Sequence, residues 1–162
     1  MPCSPQEVGT IYFERDAMPF QYHNAPEKTR AAQHPDHENW ATTGDIGYLD
    51  EDGYLYLTDR KDFLIITGGV NVYPQESENA LIMHPAVADV AVIGVPDEEL
   101  GETALACVQL AEGAAPSDEL ARELIEYAGR ELARYKLPRA VRFVDSLPRT
   151  PTGKLVKRLI ET

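Results

Sequence analysis

Cysteine is nearly absent. Cys3 and Cys107 are the only two in 162 residues, they lie far apart, and neither has metal-ligand spacing. No cysteine motif for a metal is therefore visible, and a reducing cytoplasm is the default compartment. Cys107 sits in an apolar run and reads as a buried small hydrophobe, whereas Cys3 reads as loose. Long apolar runs are missing too. The longest, Val90 to Val95, is interrupted only by Gly94 and is strand-sized, so no membrane span is expected. Met1-Pro2-Cys3-Ser4-Pro5 has no basic region followed by an apolar stretch, so no secretory signal is visible. Basic charge is in short supply. The 15 Lys and Arg against 27 Asp and Glu give a net charge of −12, which argues against generic binding of nucleic acid or anionic membranes.

What is present is an ordinary apolar content, enough for a real core, and a charge gradient. Asp and Glu dominate up to about residue 126. Beyond it stand Arg130, Arg134, Lys136, Arg139, Arg142, Arg149, Lys154, Lys157 and Arg158, against only Glu131, Asp145 and Glu161. A positive end on an acidic chain could serve a small polyanion, or it could be helix C-terminal charge plus a solvated tail.

The first forty residues read poorly as a domain. Val8 to Glu14 looks like one strand without a visible partner, and Gln21 to Trp40 is polar with no sustained period. Order improves from Thr42. Residues 43–50 and 54–57 flank Glu51-Asp52-Gly53 and read as a β-hairpin. Phe63 to Ile66 is a further strand ending at Thr67-Gly68-Gly69. Pro74 opens a helix that stops before Pro85, and Val87 to Val95 and Thr103 to Leu110 are strands. Ser117 caps a long helix whose Leu120, Leu124, Ala128 and Leu132 recur at helical spacing and which stops before Pro138. Ala140 to Val144 is a last strand. The fold class is α+β: a small mixed-sheet domain with helices packed on it over residues 61–162, preceded by a β-rich, incomplete stretch over 1–60.

Four segments exceed what core packing needs. Thr43-Gly44-Asp45 offers a carboxylate that could accept two hydroxyl hydrogen bonds, or is a turn. Asp59-Arg60-Lys61-Asp62 alternates charge between two strands, as a surface connection also would. Thr67-Gly68-Gly69-Val70-Asn71-Val72-Tyr73-Pro74-Gln75-Glu76 allows close backbone approach by a ligand, or a turn with positive φ. Pro148-Arg149-Thr150-Pro151-Thr152-Gly153-Lys154 disfavours helix and reads as an ordered, extended loop holding out one ammonium group.

In this order and spacing the four segments resemble the adenylate-forming superfamily of acyl-CoA synthetases, peptide-synthetase adenylation domains and luciferases. The resemblance covers essentially the whole chain. Tyr22-His23-Asn24-Ala25-Pro26-Glu27-Lys28-Thr29 and Gly94-Val95-Pro96-Asp97 with Gly101-Glu102 are most similar to the fatty-acyl and aryl CoA-ligase branch. The resemblance implies roles. Asp45 and Arg60 would hold the ribose of ATP or AMP, and Asp62 would be a hinge between a large N-terminal domain and a small C-terminal one. Lys154 would reach the substrate carboxylate and the α-phosphate, and Gly68 and Gly69 would line the pantetheine channel of CoA. ATP, CoA and Mg²⁺ are the implied cofactors, a fatty or aryl acid the substrate, and no residue is assigned as a metal ligand. Two departures stand out. The family's phosphate-binding loop, adenine-stacking motif and acyl pocket are not in this chain, so it resembles the C-terminal third of such an enzyme and is expected to be inactive alone. Ser77 stands where the family more often has an aliphatic residue, a change read as tolerated. An adenylation domain feeding a carrier protein, or a binding module of the same fold without chemistry, are the other readings.

Overall fold

A computed structural model describes residues 3–160. The chain divides into two compact units, Met1–Asp62 and Phe63–Thr162, each with its own strands.

The first unit holds β1 (Gly9–Thr10), β2 (Phe13–Glu14), α1 (Pro26–Ala32), β3 (Gln33–His34), β4 (His37–Ala41), β5 (Asp45–Leu49) and β6 (Leu55–Arg60). The single strand expected over Val8 to Glu14 is two short ones. β1 pairs with β5 and β2 with β4, so the chain leaves one three-stranded sheet and enters another within four residues, and both strands have partners. The polar stretch after Gln21 is also structured. Pro26 at the first helical turn and Glu27 behind it start α1 as sequence rules allow, but seven residues are too few to display a period. The hairpin of β5 and β6 forms as expected. Asp50 organises its turn, its carboxylate accepting the Asp52 and Tyr54 N–H groups at 3.0 and 2.9 Å.

The second unit holds β7 (Ile65–Thr67), β8 (Val70–Val72), α2 (Pro74–Leu81), β9 (Val87–Asp97), β10 (Gly101–Leu110), α3 (Asp118–Ala128) and β11 (Ala140–Val144). β10 is the centre of a mixed sheet. It pairs antiparallel with β9 along one edge. Along the other it pairs parallel with β11 over Leu105–Gln109 and meets β7 at Gly101. Both faces of this sheet are covered, and the period-2 alternation of strands shows how. Val90, Val92, Ala104, Ala106 and Val108 point to one core with Leu81 of α2 and Leu124 and Ala128 of α3. Ala91, Ile93, Leu105 and Cys107 point to the other, where Leu147, Leu155 and Ile160 cover them. This is why Val90–Val95 is continuously apolar rather than alternating.

Three local expectations need correction. β8 was not foreseen, because Gly68-Gly69 is the two-residue loop of a hairpin in which Thr67 pairs with Val70. Both glycines have positive φ, 55° and 81°, as a tight primed turn requires. The strand expected to begin at Phe63 starts instead at Ile65, after a 3₁₀ turn over Lys61–Phe63. The helix expected to reach Pro138 ends at Ala128, because Gly129 is a poor helix former and caps it. Leu132 and Leu137 still reach the first core, through a turn and the 3₁₀ segment Arg134–Lys136. No basic residue lies in the last turn of α3, so helix-end charge does not explain the positive C-terminal segment. Among the described residues, no helix is long and apolar enough to cross a membrane.

Candidate functional site

In the first unit, the β5–β6 register sets Asp45 opposite Arg60. Their charged groups lie 3.4 Å apart, each part-exposed. Thr43 Oγ1 donates to the Asp45 carboxylate at 2.5 Å, and Arg60 Nη2 donates to the Thr43 carbonyl at 2.9 Å. Gly44 closes the corner: its carbonyl accepts the Lys61 N–H at 2.8 Å. The result is a carboxylate oriented by two groups, the Thr43 hydroxyl and the Arg60 guanidinium, and still part-exposed. Asp62 is the last residue of this unit, within the 3₁₀ turn.

In the second unit, Gly68 and Gly69 sit at the tip of the β7–β8 hairpin. A Cβ on Gly69 would meet nothing within 4 Å, so backbone conformation rather than crowding calls for glycine there. The lysine segment differs from the extended loop expected. It is a cinched turn. Arg149 and Leu155 form an antiparallel bridge, the Thr150 N–H donates to the Lys154 carbonyl at 2.8 Å, and the Lys154 N–H donates to Thr150 Oγ1 at 3.0 Å. Gly153, at φ 84°, donates its N–H to the Thr150 carbonyl at 2.8 Å. The turn is tight because Pro151 and Gly153 suit its bend and Thr150 satisfies the backbone within it. Lys154 is exposed, and among the described residues its ammonium has no partner.

Ionic groups missed in the sequence hold this region. Lys157, 9% exposed, pairs with Glu78 of α2 at 2.6 Å and lies over the Phe63 ring at 4.9 Å. The other Lys157-side group, the Glu78 carboxylate, also accepts the Val92 N–H at 2.7 Å. β9 pairs only with β10 among the described strands, so this carboxylate covers an edge N–H that would otherwise be unpaired. Glu76 binds Lys136 at 2.7 Å, and this hydrogen bond is the main reason the Lys136 ammonium holds its proton more firmly than usual. Ser77, fully buried, donates to the Lys136 carbonyl at 2.6 Å, which gives the serine at this position a partner in the core. The pairings of Ser77 and Glu76 with Lys136 were not legible from the chain, since the partners are some 60 residues apart in sequence.

The described residues contain no group of three or more His, Cys, Asp or Glu able to hold a metal ion. Asp45 and Arg60 are brought together. Gly68 and Gly69 share one turn, and Lys154 stands on another.

A small mixed sheet with two helices on one face and a lysine-bearing turn after its last strand defines the class: residues 76–154 match the family described as AMP-binding enzyme C-terminal domain. The individual relatives are acid ligases. The chain is 45% identical over 153 residues to the long-chain-fatty-acid–CoA ligase FadD13 of Mycobacterium tuberculosis, covering 94% of this chain and 29% of that protein. It is 42% identical over 154 residues to the fatty acid–[acyl-carrier-protein] ligase ScoC of Streptomyces coeruleorubidus, covering 95% of this chain and 28% of that one. The ATP-bound RpMatB-BxBclM chimera B1 superposes with a TM-score of 0.84 at 38% identity, covering 97% of this chain and 31% of the chimera. The chain thus spans under a third of the proteins it matches.

Proposed function

We propose that this chain supplies the mobile C-terminal domain, residues 61–162, and the adjoining part of the large domain, residues 1–60, of an AMP-forming acid–CoA ligase. In the first half-reaction a carboxylate oxygen of the acid attacks the α-phosphorus of ATP. The new O–P bond gives an acyl-adenylate, and the bond to the β-phosphate breaks to release pyrophosphate. In the second, the CoA thiol attacks the acyl carbon, the thioester forms and AMP leaves with the electron pair of the broken C–O bond. The observation that carries this reading is Lys154: its backbone is fixed on both sides of the turn while its ammonium is exposed and, among the described residues, unpaired. Such a group offsets charge building on the carboxylate and α-phosphate oxygens in the first half-reaction.

Asp45 would accept both ribose hydroxyls. Its remaining acceptor capacity and its orientation by Thr43 and Arg60 fit that task. Asp62 is the proposed hinge, and the Gly68-Gly69 tip lines the pantetheine path. Mg²⁺ would enter with the nucleotide, held by its phosphates rather than by an all-protein cage. The chain spans under a third of its relatives, and it is proposed to be inactive alone and to be part of a cytoplasmic ligase. One relative is named as a fatty acid–[acyl-carrier-protein] ligase, which supports a carrier protein as a second acceptor in place of CoA, and supplying each acceptor in turn distinguishes them.

In the ligase containing this chain, Lys154→Ala should abolish acyl-adenylate formation and spare thioester formation from supplied acyl-adenylate. Asp62→Pro should do the reverse, since proline fixes a backbone angle that a hinge must change. Equal loss of both half-reactions in Lys154→Ala would refute the assignment. Saturable binding of ATP or CoA by the 162-residue chain alone would favour a binding module instead.

A further inference from the structure

The turn that carries Lys154 is fastened from outside, and the fastener is Arg149. Its guanidinium spans two groups. Nε and Nη2 both donate to Asp89 Oδ2 of β9, at 3.2 and 2.5 Å, and Nη1 donates to the Gly153 carbonyl at 2.7 Å. Gly153 immediately precedes Lys154. One side chain therefore joins the sheet, through Asp89, to the peptide that orients the lysine. Asp89 is itself held, its Oδ1 accepting the Val90 N–H at 2.9 Å. On the far flank of the turn, Lys157 is locked to Glu78, which in turn caps Val92 of the same strand. Both ends of the lysine turn are thus tied to β9, and the middle is tied back to the entry by Arg149.

We propose that Arg149 is a positioning residue for Lys154, fixing the turn against β9 so that the ammonium is presented in one direction. This rests on the ligase reading above. Arginine suits the position because its fork engages a carboxylate and a carbonyl at once, which a single ammonium cannot do from the same place. The Asp89 side chain that would lose its partner is 25% exposed, so removal of Arg149 leaves no fully buried unpaired charge and the fold should survive it. The gain is in geometry: a misplacement of about 1 Å at a reacting group costs on the order of 100-fold in rate.

Two measurements test this. In the 162-residue chain, Arg149→Ala should raise the amide hydrogen exchange of Gly153 and Lys154, both bonded within the turn, while β9 and β10 amides keep their protection. In the full-length ligase, Arg149→Ala should lower kcat for acyl-adenylate formation by about 10- to 100-fold with the KM for ATP unchanged, and leave thioester formation from supplied acyl-adenylate at its original rate. Arg149→Lys should recover part of the first rate. Unchanged exchange at Gly153 and Lys154, or equal loss of both half-reactions, would overturn the proposal. A full-length wild-type protein that forms no acyl-adenylate would overturn the ligase reading instead, and the exchange measurement then decides alone whether Arg149 holds the turn.

Discussion

Asp97 ends β9 and organises the turn into β10. Its Oδ1 accepts the Glu99 and Leu100 N–H groups at 3.0 and 2.9 Å, and Arg139 lies 3.3 Å from its other oxygen. The Leu100 and Glu99 N–H groups pull its carboxyl below the ordinary value, and Arg139 adds to this. A depressed carboxyl stabilises the fold above its unfolded value of about 3.9, and that stabilisation is lost as pH falls through the lower folded value. An NMR titration of the Asp97 carboxyl should therefore give a midpoint below about 3.9, and a midpoint at or above it would show that the turn N–H groups do not engage. At this scale the sequence was legible where a residue acts locally. Cys107 is buried, and burial pushes its thiol up, as its apolar surroundings implied, while Cys3 is exposed. Residues that act through a distant partner gave no signal. Arg149 was visible only as a member of the lysine motif and the basic cluster and Lys157 only of the cluster, and their partners Asp89 and Glu78 only as members of a strand and a helix.

Among the elements, α3 shows both what a sequence rule captures and where it stops. Ser117 Oγ accepts the Leu120 N–H at 3.1 Å, so the expected N-cap forms. Ser117→Ala should cost about 1 kcal/mol of stability by urea unfolding, the usual value of a lost cap, with Ser117→Asn near neutral. The helix ends at Ala128, while Leu132 keeps the helical spacing beyond it and still packs on the core. Apolar spacing reports which residues reach the core, not the backbone that brings them there. The same limit applies to Gly68-Gly69. A paired glycine marks a turn, but that the turn closes a hairpin depends on Val70–Val72 finding β7.

For the whole molecule, the two units differ in how far they can stand alone. Both buried clusters of the second unit are made from residues between Ile65 and Ile160, and they close on both faces of its sheet. Among the described residues, the buried apolar residues of the first unit are few: Ala32, Ala41 and Ile46, while Leu49, Tyr54, Leu55, Tyr56 and Leu57 are exposed. Residues 63–162 should therefore fold as an isolated fragment with a cooperative thermal transition, and residues 1–62 should not. Circular dichroism of the two fragments checks both statements, and a cooperative transition in residues 1–62 would contradict the second.

Local chemistry determined much of this protein by itself. Turn residues, capping and apolar runs set the α+β class, most strands and the two principal helices, because each depends on neighbours within a few residues. The motif order carried the family. The tertiary structure alone decided that the lysine segment is a cinched turn, and that β9 provides its anchorage. It also decided that Glu78, Asp89, Arg149 and Lys157 work as pairs. The reason is physical: an ion pair or a covered sheet face is a relation between distant residues, and only folding brings the two halves to the same place.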